Sequence, residues 1–474
     1  MLKIASRNDW LGVAGVMLVV CSGAARGGCP GWVEVAVPSF GLVRDVVVDA
    51  DASGGAVHLL MASKDNTIVN GDQHFHVLRR DGDGWIDLGE PDVSAIEAAS
   101  FGLEGVIWTA IAVGPDGSVW IGGEHEPLAQ VNRGYQRPVL ARWTAGSGWS
   151  SPESFMLMPE TEYPHAPRGG SIYDMDVAPD GSVFAVGLAS GWGSLSENNG
   201  SIPMMLRHAG SGWEESNIPD RDWPGNRGVT DASGVVAFSS SYAMGAGRHP
   251  GGDGVGAGGL VVAYSPSDGD LFVETPAWGG GASRMVANDI DASGPDDIWV
   301  VGEGSSLAET SLLMHFDGSD WTVFASPFGS LTALEHIAML PDGTAWAMPF
   351  VPGAGPSGVA YFDGSAWSVA GFVQDGFAGP RSVNGLSVDG GGRVWAAGSV
   401  TNGDEVRGFV AMLAPCSGCA ADLNEDGSLN VFDIQEYIAL LNTQDPRADL
   451  AAPFGVFNIF DLQAYIALFN AGCP

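Results

Sequence analysis

Apolar and polar positions alternate with period two through most of the chain, in short runs that end at glycine and aspartate. That period lays one face of an extended strand against a core. One unit recurs. An alternating strand runs into a tight turn, and a strand rich in large apolar residues follows. After a variable stretch come two more strands joined by a second turn. The first turn and its following strand read "VGPDGSVWIGG" from Val113, "APDGSVFAVG" from Ala178 and "SGPDDIWVVG" from Ser293. They return as "LPDGTAWAM" from Leu340 and "VDGGGRVWAAG" from Val388. The second turn gives "LRRDGDGW", "ARWTAGSGW", "LRHAGSGW", "HFDGSDW" and "YFDGSAW", ending at Trp85, Trp149, Trp213, Trp321 and Trp367, with Phe272 in that slot of "PSDGDLF". Asp-Gly supplies the positive φ that two-residue hairpin turns need.

Four short strands every ~40–65 residues are the period of a β-propeller blade. About seven blades are expected, beginning near Leu42, Ile107, Ser171, Gly228, Met285, Ala333 and Ser382. The glycine-rich "MGAGRHPGGDGVGAGG" interrupts the fourth. The recurring Trp and Phe are read as core, packing one blade on the next. The last blade stops after "GFVAMLAPC", one strand short, and "CPGWVEVAVP" near the start of the chain supplies a strand with Trp32 in the aromatic slot. The expected fold class is therefore all-β over residues 29–416, a β-propeller closed by its N-terminal strand, which removes open sheet edges. Closure of that kind brings Cys29 beside Cys416, so a Cys29–Cys416 disulfide is expected; Cys416 with Cys419 would make a small strained ring.

In such a scaffold the short turns share one face, and the long, dissimilar connections share the other. The latter include 63–73, 124–136, 189–202 and 239–259, and recognition is expected there. At that face the innermost strands start with Asp45, Asp174, Asn288, Asp289, His336 and Asn384. These are candidates to ring a channel mouth and hold an ion or a sugar; the plainer alternative is a wet polar lining. His74 and His76 alternate on a strand and share a face, which suits a surface pair better than a metal pair. Arg248 and His249 are read as part of the glycine-rich loop.

Composition narrows the class. Seventy Gly and 28 Pro demand many turns, hence short strands. Acidic residues number 56 against 20 basic ones, a formal net charge of -36, which repels phosphate backbones and anionic lipid surfaces and argues against nucleic acid as a partner. Residues 1–25 read as a secretory signal peptide: Lys3 and Arg7 precede an apolar run, and cleavage is expected near Ala25. A lipoprotein with Cys21 acylated is the alternative. The apolar run is too short to span a bilayer, and no later segment is a membrane span. An exported bacterial chain, secreted or at the cell surface, suits the even set Cys29, Cys416, Cys419 and Cys473.

The tail is of another kind. In "DLNEDGSLNVFD", Asp422, Asn424 and Asp426 stand at positions 1, 3 and 5 of a calcium loop. Gly427 permits the bend, Ser428 offers its carbonyl, Asn430 sits at 9 and Asp433 at 12. Calcium is hard and takes six to eight oxygens, so Ca2+ is the expected cofactor. "VFDIQEYIALLN" then has helical spacing, and the unit returns as "VFNIFDLQAYIALFN". A duplicated loop-plus-helix of this size, with "ADLNEDGSLNVFD" and the terminal "NAGCP", resembles the type I dockerin found on secreted planctomycete proteins, over residues 419–474. The resemblance implies a small all-α, calcium-holding module recognised by a cohesin-like or cell-surface partner. The second loop departs from it: Ala451, Pro453 and Phe454 stand where ligands belong, and the loop is one residue too long. Cys419 and Cys473 bracket the duplicated unit, and a Cys419–Cys473 disulfide would offset the lost ligands.

No Gly-x-Ser-x-Gly elbow, His-Glu-x-x-His or phosphate loop occurs. The expected function is a secreted, non-catalytic propeller binding a carbohydrate or protein, carried on the calcium module. The alternative is a polysaccharide-active propeller enzyme, a hydrolase or lyase, carried by the same module.

Overall fold

The computed structural model describes residues 31–471 apart from 41–43, 53–55, 65–72, 83, 98–104, 126–135, 155–168, 193–199, 209, 211, 216–230, 250–257, 265–270, 274–284, 307–308, 329–331, 350–358, 371–380, 391, 403–404, 415–420, 422, 424–428, 445–447, 449 and 451–456. Cys29, Cys416, Cys419 and Cys473 lie outside the described residues, and both expected disulfides with them. The chain separates into a strand-rich unit, Pro30–Pro415, and a second unit that contains Cys416–Pro474.

The strand-rich unit is a succession of antiparallel meanders in which successive strands of a group pair, except that Glu153–Ser154 pairs with Arg137–Thr144. The first group is Arg44–Asp51, His58–Lys64, Gln73–Asp81 and Gly84–Asp87. The second is Val106–Val113, Val119–His125 and Arg137–Thr144, edged by Gly148–Trp149 and Glu153–Ser154. The third is Gly169–Val177, Val183–Trp192, Gly200–His208 and Trp213–Glu215. The fourth is Asp231–Ser239, Tyr242–His249, Gly258–Tyr264 and Leu271–Val273. Met285–Gly294, Asp297–Ser306, Glu309–Phe316 and Trp321–Val323 make the fifth. Leu334–Met339, Ala345–Pro349, Val359–Phe362 and Trp367–Ala370 make the sixth. The last group has Arg381–Val388, Val394–Asn402 and Glu405–Ala414, and its fourth strand is Gly31–Val35, which pairs antiparallel with Glu405–Ala414 and sets Trp32 opposite Leu413.

The first strand of every group carries the same irregularity. Register slips by one residue at Val48, Thr109, Tyr173, Ser233, Asn288, Glu335 and Asn384, so each inner strand bulges at one level. In five groups a glycine on the second strand faces the bulge. A Cβ at Gly123, Gly187, Gly247, Gly302 or Gly398 would meet an inner-strand carbonyl oxygen at 1.9–2.0 Å. In those five groups the bulge leaves no room for a side chain there, whereas Met61 and Pro349 stand at that position in the first and sixth.

Between groups the contact is apolar. Leu60, Val77, Trp108 and Ile121 join the first two groups. Trp299, Leu313, Ile337 and Phe362 join the fifth and sixth. Val47, Leu59, Met61 and Leu78 of the first pack with Trp395, Ala397 and Val410 of the last.

Two expectations about local structure are corrected. The stretch 239–259 is not one long loop: Tyr242–His249 is a strand, and Arg248 on it is paired with Asp231 rather than belonging to a loop. The proline-containing turns that follow Val113, Val177 and Met339 are longer than two residues, whereas the one between Gly294 and Asp297 has two. Between Val113 and Val119, Gly114 N donates to Ser118 O at 2.8 Å, Asp116 Oδ1 accepts from Ser118 N, and Gly117 alone takes a positive φ of 75°.

The C-terminal unit has helices Val431–Thr443 and Ile459–Ala471. Its core is Ala421, Tyr437, Leu440, Ala448 and Tyr465. No helix among the described residues is long and apolar enough to cross a membrane.

Candidate functional site

The residues after the bulges stand at one level of the first strands of their groups. Three alternate groups place an Asp-x-Asp pair there: Asp49 and Asp51, Asp174 and Asp176, Asp289 and Asp291. Each of these carboxylates takes at least two backbone or hydroxyl donors. Asp49 accepts from Ala50 N and from Ile111 N of the next group at 2.8 and 2.9 Å. Asp174 accepts from Met175 N and Val235 N, both at 2.8 Å. Asp176 accepts from Val177 N and Ala237 N at 2.7 Å, and Asp291 from Ala292 N and Met339 N at 2.7 Å. Asp289 accepts from Ile290 N and Ile337 N at 2.8 and 2.9 Å. Asp51 takes Val113 N at 2.6 Å. Each pair thus fastens its group to the following one.

The bulged residues, and His336 just after the bulge in the sixth group, add a second set of ties. Asn288 Nδ2 donates to Leu334 O at 2.9 Å and Asn384 Nδ2 to Val47 O at 2.7 Å. Thr109 and Ser233 donate to Ile172 O and Ala287 O in the same way. His336 Nε2 lies 3.2 Å from Val383 O, while its Nδ1 is 3.6 Å from Asp289 Oδ2.

Electrostatics follow from enclosure. Burial pushes Asp49 up to about 7, Asp176 up to about 6 and Asp291 up to about 8. Asp174 is raised well above the usual carboxylate range, first by burial and then by the charges of Asp49 and Asp289. For His336 burial pulls downward, but the hydrogen bond and charge of Asp289 outweigh it and raise the imidazole. The Asp289 side chain keeps 19% of its surface exposed, so it is only partly enclosed by protein.

Of the residues proposed to ring a channel mouth, Asp174, Asn288, Asp289, His336 and Asn384 stand at equivalent levels of their inner strands. They serve as ties between groups. Asp45 does not join them: it is buried, with its carboxylate held by Ser39 Oγ, Phe40 N and Ser63 Oγ. Asp49, Asp51, Asp176 and Asp291 escaped the sequence reading. Their signal was an Asp-x-Asp repeated at one offset in "VVVDADA", "IYDMDVA" and "ANDIDAS". His76 has a carboxylate neighbour after all: Nδ1 is 3.2 Å from Asp87, and the ring stacks on Phe40.

In the C-terminal unit Asp422, Asn424, Asp426 and Ser428 lie outside the described residues. Asn430 caps the first helix through Phe432 N, and Asp433 is fully buried, accepting Leu423 N at 3.0 Å and Asn430 N at 2.9 Å. The second half repeats this: Asp461 accepts Leu450 N at 2.9 Å and Asn458 N at 2.8 Å. The first span covers ten residues and the second eleven, which is the extra residue noted in the sequence. Tyr437 and Tyr465 stack at 4.0 Å and cross over, Tyr437 Oη donating to Ala448 O and Tyr465 Oη to Ala421 O. A carboxylate oxygen holding one N–H retains a second lone pair, so Asp433 fits a hard cation as well as a cap. Among the described residues no group of three or more His, Cys, Asp or Glu is placed to hold a metal.

No protein-family model matches the chain, and no curated protein does. Among solved structures it is similar to YCF48 from Cyanidioschyzon merolae, at 13% identity over 80% of this chain and 98% of that one, TM-score 0.45. It is also similar to the β-propeller domain of the Trilobed protease from Pyrococcus furiosus, at 10% identity over 79% and 94%, TM-score 0.45. Trypanosoma rangeli sialidase in complex with sialic acid matches at 8% identity, over 90% of this chain and 62% of that one, TM-score 0.42.

Proposed function

We propose that the chain is a secreted β-propeller of seven blades, closed by its N-terminal strand, that recognises a carbohydrate or protein through its long connections and is attached to its surroundings by the C-terminal unit. The observation behind the recognition face is the state of the interior acids. They are engaged by backbone N–H groups and fasten one group to the next, so they serve structure, and the connections that vary from group to group are left for recognition. The test is a glycan array with the purified protein, together with product analysis on the same glycans. Binding without turnover is expected. Turnover would instead favour the polysaccharide-active enzyme.

The C-terminal unit is proposed to hold one Ca2+ in its first loop, with Asp422, Asn424, Asp426, Ser428, Asn430 and Asp433 as oxygen donors. Bound calcium would supply charge neutralisation and order to that loop. The duplicated helices leave Val431, Phe432 and Ile438, and again Ile459, Phe460 and Ile466, exposed, which suits attachment to a cohesin-like or cell-surface partner. Calorimetry is expected to find one tight calcium site, abolished by Asp426→Ala. Two equal sites would mean that the altered second loop still binds.

A further inference from the structure

The interior lining sets six carboxylates on three alternate inner strands, in one register, within a chain whose net charge is already -36. Asp174 is within reach of the charges of both Asp49 and Asp289, and Asp176 within reach of Asp51. Among the described residues the other groups present mostly small or neutral side chains at the matching positions. The second presents Ala110 and Ala112 at the matching positions, and the fourth presents Gly234 and Val236. The sixth supplies His336, with Glu335 beside it, and the last supplies Ser387, 3.4 Å from Asp51. His58 and Arg79 flank Asp51 from the adjoining strands of its own group. Asp231 is paired with Arg248, and Asp389 with Arg393.

We propose that this aspartate lining is a pH-dependent latch, which holds successive inner strands most tightly in mildly acidic surroundings and loosens as the medium turns alkaline. The geometry couples the two. Each carboxylate both ties neighbouring strands and repels its counterparts across the lining, so neutralising it removes the repulsion. One oxygen remains to accept from a backbone N–H. The sign is fixed by linkage. A carboxyl whose folded pKa lies above its unfolded value binds extra protons when folded, so stability grows as pH falls through the folded value. It levels off near pH 4, where the unfolded chain takes up the same protons. Burial places Asp176, Asp49 and Asp291 at about 6, 7 and 8, so the window runs from there down towards 4. His58, His125 and His208 are held low by burial and work in the opposite sense, but only below the ordinary histidine range.

The experiment counts protons on unfolding. The full chain, with a chelator present so that no metal-linked protons enter, is unfolded by denaturant at pH 7.5 in weak buffer. Release of about one proton per chain from Asp49, Asp176 and Asp291 together is expected, with a melting temperature that rises as pH is lowered from 8.5 to 6.5. The double variant Asp49→Asn, Asp291→Asn is expected to lose at least half of the release, whereas Asp317→Asn in an exposed turn keeps all of it. Uptake of protons by the parent chain, or no change, overturns the latch. So does undiminished release from the folded double variant. Should the double variant fail to fold, the parent's proton count still decides.

Discussion

Gly302→Ala is expected to destabilise the strand-rich unit by roughly 3 kcal/mol or more, because the added methyl has nowhere to go. Its Cβ would sit 2.0 Å from Val286 O and 3.0 Å from Ala287 Cα, and both are backbone atoms of the bulged inner strand. A side chain could swing aside; a bulge that also presents Asn288 and Asp289 to the sixth group cannot, without breaking those ties. The control lies in the same group. Gly294 meets nothing within 4 Å and has no positive φ, so Gly294→Ala is expected to stay within about 0.5 kcal/mol of the parent. Urea unfolding followed by Trp fluorescence separates the two. Equal midpoints for both variants would show that the bulge relaxes freely and that the recurring glycine has another cause.

Much of this was legible in the sequence, for a physical reason. Period-two alternation and Asp-Gly turns are local signals, and they located nearly every strand, including the N-terminal one that sets Trp32 opposite Leu413. The same glycines that closed each quoted motif, as in "VWIGG" and "IWVVG", were visible, but their cause was not. A bulge is a property of two strands in register, and no single strand reveals it. The fourth group misled because glycine density was read as loop. Tyr242–His249 has small residues for packing reasons instead: a Cβ at Gly245 would lie 3.1 Å from Met205 Cε, and one at Gly247 would strike Asp231 O. The interior acids were half seen. Reading only the first polar residue of each strand caught Asp174 and Asp289, missed their partners two residues on, and took in Asp45, which faces Ser39 and Ser63.

The alternation of acid-bearing and small-residue groups has a steric logic. An aspartate that reaches across to the next strand leaves its own backbone and its other oxygen close against the strand of the group before it. A Cβ at Gly234 would come within 3.0 Å of Asp289 Cα and Oδ1, and one at Gly385 within 3.1 Å of Asp49 Oδ1. Small residues therefore border the carboxylates on the side away from the strand they fasten. Placing an aspartate in every group would crowd each with its neighbour and multiply the repulsion, so three of the groups is a compromise between fastening and charge.

Asp461→Ala is expected to cost the C-terminal unit roughly 3 kcal/mol, equally with and without calcium, and this separates fastening from metal binding in the two halves. Asp461 is fully buried, and its removal takes the acceptor from two part-buried backbone donors, Leu450 N and Asn458 N. Each buried donor left without a partner costs about 1–3 kcal/mol. The loss also travels to the other half, since Tyr465 on the same helix stacks on Tyr437 and holds the carbonyl of Ala421. Asp433 makes the same pair of bonds in the first half, to Leu423 N and Asn430 N. There the outcome is expected to differ. Asp433→Ala should cost a similar amount in chelator and distinctly more at saturating calcium, because it removes a proposed ligand as well as a clamp. Thermal melts of the two variants in chelator and in calcium decide the matter. A calcium-dependent loss for Asp461→Ala would make the second loop a metal site despite Ala451 and Pro453, and equal losses for Asp433→Ala in both conditions would remove the metal from the first.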